Sequence, residues 1–351
     1  MPNSWLNPRA NLPGIHKIQA VEITNRELVG IGVGVLLLLL GVMACRPSPR
    51  PEHTAVLPTI APTTPILSLP QPPTPPITPV ATRSDLTAIA TAYPPPDPTA
   101  TPCTTPGRVE RYTIHSATAG GSMAYQLYFP PCYGQNGRLY PTLYLLPGNI
   151  HDEQIWADLG IGQAADAAIQ SEAIPPLLIV MPTGGWLANN TSGGPGSYES
   201  FILNELIPHI EQTSCAWPEA AGRAIGGLSR GGYWALSIAF RHPQQFMSVG
   251  GHSAALLDTH AGPDVNPQQT GLTNQLHNLR IYLDIGRDDY LINNIRRLHE
   301  DMETAVIPHT WVLNDGLHEE NYWATHLTDY LHWYTAPWPL TANTYPPCAT
   351  R

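Results

Sequence analysis

From residue 107 onward, short apolar runs recur and end in turn residues, at 142–146, 177–181, 224–228, 247–251, 281–285 and 310–313. Runs of this length, bounded by turn residues, read as strands buried on both faces. Two earlier stretches, near 111–115 and 123–128, are also strand-like. Between the runs lie segments of helical character at 162–172, 198–212, 231–241, 291–305 and 319–333. Strands alternating with helices predict an α/β domain, with a mostly parallel central sheet and crossover helices on both faces. In such a sheet the chemistry gathers at the carboxyl ends of the strands.

The first hundred residues follow another pattern. Residues 28–44 are apolar and uncharged, close to the lower length limit for a membrane-spanning helix. Cys45 follows Val42, Met43 and Ala44, an arrangement resembling a bacterial lipobox. Two readings fit: a cleaved signal with Cys45 lipidated, or an uncleaved signal anchor. Either one tethers the chain to a membrane with its C-terminal bulk outside the cytoplasm. Residues 46–106 are rich in Pro and Thr, and the chain holds 39 Pro in all. Such a segment cannot bury enough apolar surface to offset its ordering entropy, so a disordered, extended stalk is expected. The organisation predicted is therefore a leader (1–27), an anchor (28–45), a linker (46–106), a catalytic-sized domain (107–340) and a tail (341–351).

Composition narrows the function. Net charge is −10 and no Lys/Arg cluster occurs, which argues against nucleic acid as a partner. Apart from Cys45 there are four cysteines, Cys103, Cys132, Cys215 and Cys348, and no CxxC motif. That pattern suggests two disulfides rather than a zinc or redox site. Cys103 and Cys348 flank the domain, so the expected pairing joins them and leaves Cys132 to Cys215.

Residues 227–231 read Gly-Leu-Ser-Arg-Gly, a G-x-S-x-G motif set between the apolar run RAIGGL and the helical pattern GGYWALSIAFRH. Strand, sharp turn and helix are the context in which such a motif exposes a nucleophilic serine. Ser229 then needs a base within hydrogen-bond reach and an acid to orient that base. Asp288 and Asp289 follow the strand at 281–285, and His318 follows the last strand. The chain order Ser, Asp, His is that of the α/β-hydrolase fold.

The stretches LYLLPGN, GSYESFILNELIPHIE, RAIGGLSRGGYWAL, HPQQFMSVGGHSAAL, LDIGRDDYL and DGLHEENYW together resemble the Putative esterase family of α/β hydrolases. Its members include feruloyl esterases, S-formylglutathione hydrolases, enterochelin-esterase-like proteins and the antigen 85 mycolyltransferases. The resemblance spans roughly 110–335. It implies an α/β-hydrolase fold and serine ester hydrolysis without metal or organic cofactor, on a small-molecule or polysaccharide-linked ester. It places the acid at Asp289, with Asp288 as competitor and Asp284 structural, and the base at His318, with Trp323, five residues on, expected to contact substrate. The oxyanion hole would use the backbone N–H groups of Arg230 and Asn149, or of Ile150 in place of Asn149. Where the family loop begins His-Gly, this chain has Pro147-Gly148, which removes a bracing side chain. Trp156 would wall the pocket or pack the domain; His252 would line the site or be structural. His326 and His332 read as solvated helix residues. Two alternatives accompany this reading: acyl transfer on the same residues, and a catalytically silent binding module on a stalk.

Overall fold

The structure is a computed structural model and describes residues 103–257 and 261–348. The expected anchor, Cys45 and almost all of the linker lie outside the described residues. Among those described, no helix is long and apolar enough to cross a membrane.

Eight strands form one sheet: β1 (Arg108–Ser116), β2 (Gly121–Phe129), β3 (Thr142–Leu146), β4 (Leu178–Pro182), β5 (Arg223–Leu228), β6 (Ser248–His252), β7 (Arg280–Gly286) and β8 (Thr310–Asn314). Their order is β1-β2-β4-β3-β5-β6-β7-β8. β1 pairs antiparallel with β2, and β2 with β4; every later pairing is parallel. The chain thus forms a mostly parallel mixed sheet with the α/β-hydrolase strand order.

Among the described residues, ten α-helices lie between or after the strands: α1 (Ile155–Asp158), α2 (Ile161–Gln170), α3 (Gly185–Asn190), α4 (Tyr198–Phe201), α5 (Ile207–Thr213), α6 (Arg230–Arg241), α7 (Pro267–Thr273), α8 (Ile292–Thr304), α9 (Glu320–Thr325) and α10 (Leu327–Thr335). Strand pleating divides the core between the two faces. Tyr144 and Leu146 of β3 join the cluster beneath α4, α5, α6 and α8, whereas Leu143 and Leu145 join the one beneath α1, α2, α9 and α10. Every residue of β3, β4, β5 and β6 is buried, as strands covered on both sides should be.

Helix boundaries differ from the sequence reading in instructive places. The segment at 198–212 is helical throughout, but its middle, Ile202–Leu206, widens to π geometry. The segment at 319–333 breaks at His326 into α9 and α10, because Tyr322 and Tyr330 on either side of the break both turn their hydroxyls to Asp284. The Gly- and Asn-rich stretch 184–196 after β4, whose composition suggests a loop, contains α3.

The disulfides are Cys103–Cys132 and Cys215–Cys348, which corrects the pairing expected from the sequence. Backbone pairing delivers the partners. Cys132 N–H bonds to Thr105 O (3.3 Å), bringing the start of the domain to the turn after β2. At the other end Leu139 N–H bonds to Pro346 O (2.8 Å) and Tyr140 N–H to Cys215 O (2.7 Å). Residues 341–348 therefore lie against the domain and bury Tyr345.

Candidate active site

β5 runs directly into α6, and Ser229 sits at the corner with φ 54° and ψ −118°. A non-glycine residue there carries strain of about 1–3 kcal/mol, sustained only by what surrounds it. Two glycines make the corner possible. A Cβ on Gly227 would come within 2.4 Å of the Gly231 carbonyl, and one on Gly231 within 2.3 Å of Leu146 O. Hydrogen bonds fix the rest: Ser229 N–H donates to His252 O (2.9 Å), and Ser229 O accepts from Tyr233 and Ala255 N–H (3.1 and 2.9 Å).

The hydroxyl points at the imidazole of His318, with Oγ 2.9 Å from Nε2. On the other side of the ring, Nδ1 lies 2.8 Å from Asp289 Oδ2. Asp289 is buried, and its second oxygen accepts Leu291 N–H at 2.8 Å. A carboxylate only accepts, so Nδ1 carries the ring hydrogen and Nε2 presents a lone pair to the serine. Asp288 is exposed, and its backbone N–H bonds to Gly316 O. The His318 ring is wedged between Trp323, edge-on at 5.1 Å, and Tyr290 at 4.7 Å.

A cavity of about 360 Å³ opens in front of Ser229, lined by Asn149, Asn189, Thr191, Arg230, Leu257 and Tyr290 among others. Arg230 is the first residue of α6, so its N–H has no acceptor within the helix and faces the helix N-terminus. Asn149 is held by its carbonyl, which accepts Asn189 Nδ2 at 3.0 Å. Both predicted oxyanion-hole residues thus border the same cavity as the hydroxyl. Ile150, the other candidate donor, does not line that cavity; it is 87% exposed and borders a separate hollow with His151 and Glu320. Pro147 offers no side-chain hydrogen bond to brace the loop after β3, and other groups supply one. Trp156 Nε1–H donates to Leu146 O (3.1 Å), and the His151 ring packs so closely on Gly148 that a Cβ there would lie 2.7 Å from it.

Three residues expected near substrate are elsewhere. Trp156 is 1% exposed and packs beneath the loop, so of its two readings the packing one holds. Trp323 is buried and meets His318 rather than the cavity. His252 is fully buried on the far side of β6: its Nδ1 bonds Asp284 Oδ1 (2.6 Å) and its Nε2 faces Tyr334 Oη (3.0 Å). Asp284 Oδ2 accepts from Tyr322 and Tyr330, each at 2.8 Å. Burial and the adjacent Asp284 carboxylate hold both phenols far above their usual range, so they stay protonated donors. His332 is exposed, as the sequence suggests, whereas His326 is half-buried at the break between α9 and α10, beside Asp329.

α3 and its C-terminal turn, in the Gly- and Asn-rich stretch 184–196, build part of the cavity wall, and the sequence reading assigned no role to the individual residues there. Arg230 stacks on Tyr233 and Trp234 and donates to Ala188 O (3.0 Å) and Thr191 O (2.9 Å), pinning that turn. Burial lowers its guanidinium below the ordinary arginine value. Glu199 fixes the same turn from below through Gly194 N–H, His242 and Arg241. The Gly and Asn spacing of 184–196 was the available signal.

Known proteins bear on this geometry. Residues 116–334 match the family described as Putative esterase. An esterase of Mycobacterium tuberculosis is 33% identical over 153 residues, 42% of this chain and 32% of its own. An endo-1,4-beta-xylanase/feruloyl esterase of Xylanibacter ruminicola is 30% identical over 151 residues, 40% of this chain and 20% of its own. The chain thus spans a third or less of the length of these relatives. Among solved structures, a ferulic acid esterase superposes with TM-score 0.61 at 25% identity, covering 66% of this chain and 98% of its own. The S-formylglutathione hydrolase of Staphylococcus aureus does so with TM-score 0.57 at 19% identity, covering 65% and 99%, a likeness of fold. With the family matched across most of the domain and the strand order in agreement, this chain belongs to the Putative esterase family of α/β hydrolases.

Proposed function

We propose that this chain is a serine carboxylic-ester hydrolase in which Ser229, His318 and Asp289 act as nucleophile, base and orienting acid. The observation that carries this reading is the unbroken hydrogen-bonded path from Asp289 through His318 to a strained hydroxyl facing a cavity (2.8 and 2.9 Å). Ser229 attacks the ester carbonyl as His318 Nε2 takes its proton. Asp289 holds the tautomer and stabilises the imidazolium. The N–H groups of Arg230 and Asn149 receive the developing oxyanion, each contributing about 2.7–4 kcal/mol where such donors have been removed elsewhere. His318 then protonates the departing alcohol, and a water activated by the same ring releases the acyl group. No cofactor enters these steps.

The cavity is lined by amide and hydroxyl side chains together with Leu257, Tyr290 and Leu291, which suits an ester with both a polar and a compact apolar part. A small-molecule or polysaccharide-linked ester meets that description. We further read the domain as acting outside the cytoplasmic membrane, tethered through residues 28–45. Its two disulfides support an oxidising compartment.

Ser229→Ala should lower turnover of p-nitrophenyl acetate by at least about 10⁴-fold, with Tm unchanged, and abolish labelling by a fluorophosphonate probe. A variant that turned over at the wild-type rate would overturn the assignment.

A further inference from the structure

Away from Ser229, at the amino ends of the last strands, three potential ligands meet. His299 and Glu303 are spaced i, i+4 on the last turns of α8, so both side chains leave the same helix face. His309 immediately precedes β8, the edge strand of the sheet. Each of the three offers one donor atom within 4.8 Å of the others.

The two imidazoles face one another through nitrogen, His299 Nδ1 lying 2.8 Å from His309 Nε2. The far nitrogen of His309 bonds to Ile307 O at 2.8 Å. A carbonyl oxygen only accepts, so Nδ1 carries the hydrogen and Nε2 turns its lone pair toward His299. A backbone carbonyl fixing the tautomer of a histidine in this way is the usual outer support of a metal ligand. The other ring is held as firmly: His299 lies flat on Trp311, 4.6 Å away and 7° from parallel. Glu300, Asp301 and Glu303 are all exposed on the same end of α8 and set a negative local field.

We propose that His299 Nδ1, His309 Nε2 and the Glu303 carboxylate bind a divalent late first-row cation, Zn²⁺ foremost. Two imidazoles and one carboxylate are a donor set that suits Zn²⁺. Bonds of about 2.0–2.1 Å in tetrahedral geometry put two ligating nitrogens about 3.3 Å apart, so the rings separate by roughly half an ångström. His299 changes tautomer, its hydrogen moving from Nδ1 to Nε2. Water completes the fourth position. The ion ties the C-terminus of α8 to the edge strand, and its role is to fasten that strand rather than to take part in ester cleavage.

The test titrates chelator-stripped full-length protein with Zn²⁺, following heat of binding and Tm. One equivalent should bind, and at a hundredfold excess over Kd the Tm should rise by about 5 °C or more, reversibly with EDTA. His309→Asn and Glu303→Gln should each weaken binding by at least about tenfold and leave ester hydrolysis at the wild-type rate. Substitution by Co²⁺ should give the visible absorption of a tetrahedral site in the wild type and not in the folded variants. No Tm shift with Zn²⁺, or undiminished binding by both variants, would overturn the proposal; either result would leave the reading of Ser229 untouched.

Discussion

Two histidine–aspartate pairs stand at neighbouring places in the same sheet, and they are chemically alike. His252 ends β6 opposite Asp284 in β7, with a 2.6 Å contact. His318 and Asp289 come from the loops after β8 and β7, with a 2.8 Å contact. What separates them is where the second ring nitrogen leads. That of His252 ends on the hydroxyl of Tyr334 inside the core, while Asp284 is closed off by Tyr322 and Tyr330. That of His318 ends on a serine hydroxyl bordering a cavity. A base can act only if its lone pair reaches a proton that must move, so the sealed pair braces and the open pair is free to do chemistry. The sealed pair still serves the open one indirectly, because the carbonyl of His252 holds the N–H of Ser229.

Substitutions in the two aspartates make the contrast measurable. Asp289→Asn should lower kcat by about 10³–10⁴-fold at neutral pH, since the amide favours the wrong tautomer of His318, while Tm moves by only a few degrees. Asp284→Asn should do the reverse. It sets an N–H₂ group against donors that need an acceptor and leaves a buried pair broken, at a cost of about 3–5 kcal/mol. The expected reading is a Tm lower by roughly 10 °C with kcat per folded molecule within a few-fold of wild type. Loss of kcat in Asp284→Asn at unchanged Tm would mean that the sealed pair takes part in the reaction.

A smaller effect sharpens the same distinction from the acid side. Burial pushes the Glu199 carboxyl up, but hydrogen bonds from His242 and Gly194 N–H, together with the charge of Arg241, more than offset this and leave it below the usual value of 4.5. A carboxyl depressed in the folded state stabilises above its unfolded value, and that contribution is lost as pH falls through the folded one. Wild-type Tm should therefore drop as pH is lowered from about 5 toward 3, and Glu199→Gln should flatten part of that slope while costing about 2–4 °C at pH 7. An identical acid slope in the variant would remove Glu199 from this role.

Much of the site was legible because its parts are local signals. G-x-S-x-G between a buried strand and a helix leaves few conformations for the serine, and glycine alone fits at Gly227 and Gly231. Asp289 and His318 follow strand ends in the expected order. Less was legible where several residues of one kind compete. The chain has 14 His and 9 Trp, and nothing near His252 in the sequence says that it faces inward while His318 faces a hydroxyl. The readings of Trp156 as a pocket wall and of Trp323 as a substrate contact failed for the same reason. Aromatic rings near an active site are as often its supports as its surface, and exposure separates the two.

By itself, then, the sequence determined the alternation of strand and helix, the turn that carries Ser229, and the order in which Asp289 and His318 follow it. Those features depend on backbone sterics and on periodicity over a few residues. Only the tertiary structure decided which histidine meets the serine, which cysteines pair, and that His299, Glu303 and His309 share one spot. Each of those outcomes is set by contacts between residues distant in the chain, brought together by burial of the two core faces, and no local pattern encodes that packing.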